Sequence, residues 1–162
     1  MRIVDCTHAE HADAILEILN EAILHSTALY DYVPRPRESM RGWFDAKETG
    51  GFPVIGAVEG DDTEGTPAAA RASATAAETS AAGGDTSGRL LLQRIIAAAR
   101  AQQRHLLVGG IDLQNRASIA LHESLGFVHA GTIRQAGFKF GRWLDLAFYE
   151  LLLDTPERPV DG

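Results

Sequence analysis

The sequence predicts an α/β (α+β) fold in one domain, and three observations carry that expectation. Strand-length apolar runs alternate with helix-period stripes, in the order strand–helix–helix–strand, an interruption, then helix–strand–helix–strand–strand. At 162 residues and 45% hydrophobic content, the chain is long enough to bury one sizeable core. Leu106–Phe127, LLVGGIDLQNRASIALHESLGF, reads as a complete unit of strand, turn, helix and stop.

Each element follows from local chemistry. Arg2–Cys6 is a short strand. Thr7 and Glu10 have capping-box spacing, and Ala14, Ile15, Ile18, Leu19, Ala22 and Ile23 form the buried stripe of a helix to about Leu24. His25–Pro36 is a loop or broken helix, because Pro34 and Pro36 bar a regular one. Its Tyr30 and Tyr32 either plug the core edge or wall a ligand pocket. Glu38–Lys47 is a helix with Met40, Trp43 and Phe44 on its apolar face, and Phe52–Glu59 is a strand with Pro53 confined to its start or to an edge.

Asp61–Ser87 contains no Val, Ile, Leu, Met, Phe, Trp or Tyr. Such a segment cannot offset its ordering entropy by burial, so it predicts irregular linker or a weak Ala-driven helix around Pro67–Ala77. A reading-frame slip in a GC-rich gene, a natural degenerate paralogue and a deliberate replacement would each produce this composition. Leu91, Leu92, Ile95, Ile96 and Ala99 then mark a helix from Gly88 to about Gln103.

Within Leu106–Phe127, the pair Gly109-Gly110 interrupts an apolar strand, which suggests a bulge or the close approach of another backbone. Asn115 is placed to cap a helix over Arg116–Leu125, Gly126 stands where a left-handed residue ends it, and Phe127 packs back. Val128–Phe138 and Trp143–Leu153 are two strands joined as a hairpin around Gly141-Arg142. The expected organisation is one domain over residues 1–155, interrupted at 61–87, with a tail at 156–162.

A formal charge of −7 argues against a nucleic-acid or anionic-membrane partner. The single cysteine, Cys6, excludes an internal disulfide and suits a reducing cytoplasm; after a short apolar strand it reads as buried filler. No apolar run approaches membrane-spanning length, and no secretory signal pattern opens the chain, so a cytoplasmic location is expected.

The string N-x-A-S-x-x-L-H-E-x-L-G-F after an apolar strand resembles the Gcn5-related N-acetyltransferases, and within them the phosphinothricin and methionine sulfoximine acetyltransferases. Asn20–Lys47 and Gly137–Leu146 (GFKFGRWLDL) agree, so the likeness covers about residues 1–60 and 88–155. It implies a mixed sheet flanked by helices, whose two central strands are not visible in this sequence. It further implies acetyl transfer from acetyl-CoA to a small amino-acid-like amine, and a homodimer.

The family's pyrophosphate loop, R/Q-x-x-G-x-G/A, falls on Gly83–Gly88. Only Gly88 fits it, and Asp85 brings negative charge. Gly88, Arg89 and Leu90 either present amides to the anion at the helix start or form an ordinary helix N-terminus after a linker. Asn115 matches a cofactor-contacting residue, with Ser118 beside it, although Asn115 also serves as the cap. His122 takes the place of a Tyr that protonates the departing thiolate, and a structural histidine is the other reading. The resemblance favours Tyr30 and Tyr32 as walls of the amine pocket; Lys139, Arg142 and Trp143 match the family's KFGRW turn, which shapes the amine pocket or a dimer contact, or is a solvated hairpin tip. The family's general base, a Glu, falls near Ser73, so no base is assigned. The alternative is a catalytically impaired member that binds a ligand or dimerises.

Overall fold

The computed structural model describes residues 2–58, 71–74 and 86–160. Among these described residues, four helices and six strands follow in the order β1 (Arg2–Asp5), α1 (His8–His25), α2 (Ser39–Thr49), β2 (Val54–Val58), β3 (Arg71–Ala74), α3 (Thr86–Ala101), β4 (Leu106–Asp112), α4 (Arg116–Ser124), β5 (Val128–Lys139) and β6 (Arg142–Leu152).

The strands form two three-stranded sheets, β1-β2-β3 and β4-β6-β5, and every pairing among the described residues is antiparallel. Thr7 caps α1 by accepting the Glu10 amide, while its own amide donates to His11 Nδ1 at 3.1 Å. Ile15, Leu19, Ala22 and Ile23 of α1 pack with Met40 and Phe44 of α2 and Val54 of β2.

Helix α3 joins the two sheets. Its Leu91 and Ile95 pack on Ile55 and Ala57 of β2. Its Leu92, Ile96 and Ala99 pack with Ile111, Ala147 and Tyr149 of the second sheet, together with Ile119 of α4 and Phe127 after it. The i, i+1, i+4, i+5 spacing thus serves two cores from one helix.

Two expectations for the low-complexity segment are corrected. Arg71–Ala74 is a strand, where irregular chain or a weak helix was expected, and it pairs antiparallel with β2 from Val54↔Ala74 to Ala57↔Arg71. The edge of β2 offers unpaired amides and carbonyls, and satisfying them outweighs a weak local preference for helix. The rest of 61–85 lies outside the described residues. Helix α3 begins at Thr86, two residues before Gly88. By helix geometry the Leu90 amide therefore bonds back into the helix and does not face outward.

The glycine pair is corrected too. β4 runs in unbroken register with β6 from Leu106↔Leu152 to Asp112↔Leu146, without a bulge. The close neighbours are side chains: a Cβ at Gly109 would lie 3.2 Å from His122 Nε2, and one at Gly110 would lie 3.3 Å from Leu146 Cδ1. The irregularities sit in β5, between His129 and Gly131 and between Ile133 and Gly137. The hairpin turn is Phe140-Gly141, with φ of 51° and 74°, closed by Lys139 opposite Arg142.

The end of α4 follows the sequence. The Phe127 amide donates to His122 O and the Gly126 amide to Glu123 O, with Gly126 at φ 91°, which is a Schellman stop.

Candidate active site

The end of β4, the turn after it and the first turns of α4 build a small polar pocket. Its lining includes Gly109, Gly110, Asp112, Asn115, Ser118 and His122, with Ala28 from the loop after α1. The structure therefore brings Asn115, Ser118 and His122 together. Asn115 Oδ1 accepts the Ser118 amide at 3.1 Å, so the expected cap is made. Ser118 is buried, and its carbonyl bonds His122 Nδ1 at 2.8 Å.

That last bond determines the state of the imidazole. A carbonyl oxygen only accepts, so Nδ1 carries the hydrogen. Burial holds the His122 pKa below its ordinary value, partly offset by the same carbonyl, so the ring is neutral near pH 7. Among the described residues no hydrogen-bond partner meets Nε2, whose lone pair lies 3.2 Å from where a Cβ of Gly109 would stand. A neutral Nδ1–H ring accepts a proton at Nε2 and has none to give there. The sequence left a thiolate acid and a structural histidine open for His122; this tautomer adds a base to those readings.

The expected cofactor residues on α3 lie apart from this pocket lining. Arg89 Nη1 donates to Ser124 Oγ at 2.8 Å, tying the first turns of α3 to the end of α4. Gly88 sits in that first turn, while Leu90 is partly exposed.

The four expected amine-side residues divide. Tyr30 packs its ring where a Gly137 Cβ would lie, 2.9 Å away, so that glycine makes room for it. Burial and the nearby Asp112 carboxylate raise the Tyr30 pKa. Tyr32 is exposed and donates to Phe138 O at 2.7 Å. Lys139 is 6% exposed, and Nζ donates to Ser26 O at 2.7 Å and Leu29 O at 2.8 Å. Two of its three N–H groups thus clamp the loop that carries both tyrosines. Trp143 is not with them: it stacks edge-on against Phe138, centroids 5.2 Å apart, on the exposed face of the hairpin. The period of 2 separates Lys139 and Arg142 from Phe138 and Trp143.

Sequence reasoning missed Asp112. It is 5% exposed and meets Thr27 Oγ1 at 2.6 Å, the Gln114 amide at 3.0 Å and Arg142 Nη2 at 2.9 Å. Burial works against its charge, yet the Thr27, Gln114 and Arg142 bonds prevail and hold its pKa below the ordinary value. The signal was present as a lone carboxylate closing an apolar strand, a group that folds only with partners.

No protein-family profile matches the chain. An L-methionine sulfoximine/L-methionine sulfone acetyltransferase of Salmonella typhimurium is 39% identical over 163 residues, covering 93% of this chain and 95% of that relative. The chain belongs to the Gcn5-related N-acetyltransferases. An L-amino acid N-acyltransferase of Escherichia coli is 38% identical over 156 residues, covering 90% of this acetyltransferase and 91% of the relative. A phosphinothricin acetyltransferase of this superfamily from Sinorhizobium meliloti, solved in complex with acetyl-CoA, superposes with a TM-score of 0.81 at 26% identity. That superposition covers 99% of this chain and 94% of the other.

Proposed function

We propose that this acetyltransferase moves the acetyl group of acetyl-CoA onto the α-amino group of a small amino acid of the methionine sulfoximine or phosphinothricin type. The observation that carries the reading is the meeting of Asn115, Ser118 and the bare Nε2 of His122 at the side-chain-free Gly109-Gly110 segment. The names of the relatives and of the acetyl-CoA-bound structure supply the substrate class.

Acetyl-CoA binding is assigned in this reading to the polar pocket lined by Gly109, Gly110, Asn115 and Ser118, and to the start of α3 around Gly88, which Arg89 ties to Ser124. When bound, the cosubstrate supplies an acyl thioester. In this reading His122 Nε2 takes a proton from the substrate ammonium, and the freed amine attacks the carbonyl carbon. The N–C bond forms, the C–S bond breaks, and the proton that the nitrogen then sheds balances the thiolate that leaves. Asn115 and Ser118 hold the turn, while the loop of Tyr30 and Tyr32, clamped by Lys139, forms the amine side.

The location is proposed as cytoplasmic, with no nucleic-acid partner, on the charge of −7 and the lone Cys6. No helix among the described residues is long and apolar enough to cross a membrane. A homodimer through the β5–β6 hairpin is proposed on its exposed Val128, Ile133, Phe138, Phe140 and Trp143. Sedimentation of the chain as a monomer at micromolar concentration would remove that part.

One observation favours the impaired alternative. Ser73, near which the family's glutamate base falls, lies on β3 and brings no carboxylate. A thiol-release assay with acetyl-CoA and methionine sulfoximine separates the readings, run beside a version carrying a family-like segment in place of Asp61–Ser87. Comparable kcat/KM in the two supports the active enzyme; a rate lower by 10² or more in this chain supports the impaired one.

A further inference from the structure

Asp112 is a buried charge to which the acetyl-transfer scheme assigns no role. Its contacts come from three separate parts of the chain. Oδ2 accepts Thr27 Oγ1–H at 2.6 Å from the loop after α1, and Arg142 Nη2–H at 2.9 Å from the start of β6. Oδ1 accepts the Gln114 amide at 3.0 Å, in the turn that presents Asn115. The two oxygens are thus divided: one faces the amine side, the other the cofactor side. The two buried side-chain atoms without a partner among the described residues, Tyr30 Oη and Arg142 Nη1, belong to the same neighbourhood, since Tyr30 lies in the field of both Asp112 and Arg142.

We infer that Asp112 is a positioning residue for the amine substrate, fixing the Thr27–Tyr30 loop and the Arg142 end of the hairpin against the turn that carries Asn115. The inference rests on the acetyl-transfer reading for its substrate, and on geometry for its mechanism. The loop and the hairpin are also joined through Lys139 and Tyr32, and together they form one wall. Asp112 is the charged group that ties this wall to β4. A carboxylate does this where a neutral group would not, because charge-assisted bonds are shorter and roughly twice as strong.

Asp112→Asn separates the two sides. The amide oxygen retains the Gln114 bond, so the cofactor turn stays in place. The amide nitrogen faces Arg142, where two donors meet, and the wall loses its charged tether. Thr27→Val removes one tether and keeps the charge. The test uses the full chain, with Kd for methionine sulfoximine and for acetyl-CoA by calorimetry. Ile15→Val in the α1 core serves as a destabilised control.

Expected are a rise of about tenfold in amine Kd for Asp112→Asn and about threefold for Thr27→Val, with acetyl-CoA Kd within twofold of wild type. The double variant should be no weaker than Asp112→Asn alone, because both changes cut the same tether. The control should lower the melting temperature and move neither Kd. Equal weakening of both ligands, no weakening, or independent multiplication of the two effects overturns the inference. If Asp112→Asn does not fold, Thr27→Val decides by the same split. A wild-type chain that binds both ligands and releases no thiol refutes acetyl transfer while the positioning test still stands. A wild-type chain that binds no amine overturns both.

Discussion

Lys139→Met tests whether the lysine of the hairpin holds the loop or the substrate. The ammonium donates to Ser26 O and Leu29 O at 2.7 and 2.8 Å and is 6% exposed. Each hydrogen bond from a charged donor is worth about 1.5–3 kcal/mol. Desolvation of the ammonium, which holds the Lys139 pKa below its usual value, offsets part of that. Methionine replaces the stem at similar volume, so the packing loss is small. The Leu29 carbonyl loses this donor in a buried place, at a cost of about 1–3 kcal/mol, while half-buried Ser26 can turn to water. The net expectation is about 2–3 kcal/mol of stability, or roughly 5–10 °C in melting temperature for a chain of this size. Calorimetry gives the first number. Hydrogen exchange should show the amides of residues 27–32 losing protection while those of α3 keep theirs. An unchanged melting temperature and a protected loop, together with a tenfold higher amine KM, would refute the clamp and return Lys139 to direct substrate binding through its third N–H.

Three further outcomes are expected. Because folded His122 titrates below its unfolded value of about 6.5, stability should fall as pH drops below that value and level off beneath the folded pKa. His122→Phe should abolish that slope and lower kcat by about 10²–10⁴, and a wild-type acid limb of kcat lying above pH 7 would contradict the neutral base. Asn115→Ala should cost about 1 kcal/mol of stability through the lost cap, and about 1–2 kcal/mol of acetyl-CoA affinity if the residue also touches the cofactor; an unchanged affinity removes it from the site. Gly109→Ala places a methyl 3.2 Å from His122 Nε2, so kcat should fall about tenfold with a stability change of roughly 1–3 kcal/mol or less, and a normal kcat would show that Nε2 takes no part.

Most elements were legible because their signals are local. The T-x-x-E start of α1, the N-cap at Asn115 and the Gly126-Phe127 stop depend on bonds between residues a few positions apart, and each is made as expected. The apolar stripe of α3 is equally local, although nothing in it says that Leu91 and Ile95 face one sheet while Leu92 and Ile96 face the other.

The strand at Arg71–Ala74 was illegible for the opposite reason. Its side chains carry no strand signal, and the cause lies in β2, whose open edge pairs with whatever backbone reaches it. The roles of Lys139, Asp112 and His122 are likewise properties of partners remote in sequence. Lys139 meets carbonyls 110 and 113 positions away, and Asp112 meets Thr27 85 positions away. His122 takes its tautomer from the Ser118 carbonyl four positions away, but its lowered pKa comes from burial and its close approach to β4 from the missing side chain of Gly109. Periodicity and capping chemistry act over a turn or two of chain, and so they sufficed for the helices, the hairpin and the family. Protonation state, the partner of a buried charge and the pairing of a strand edge are decided by groups that only folding brings within a few ångströms, where the lowered dielectric makes each contact count.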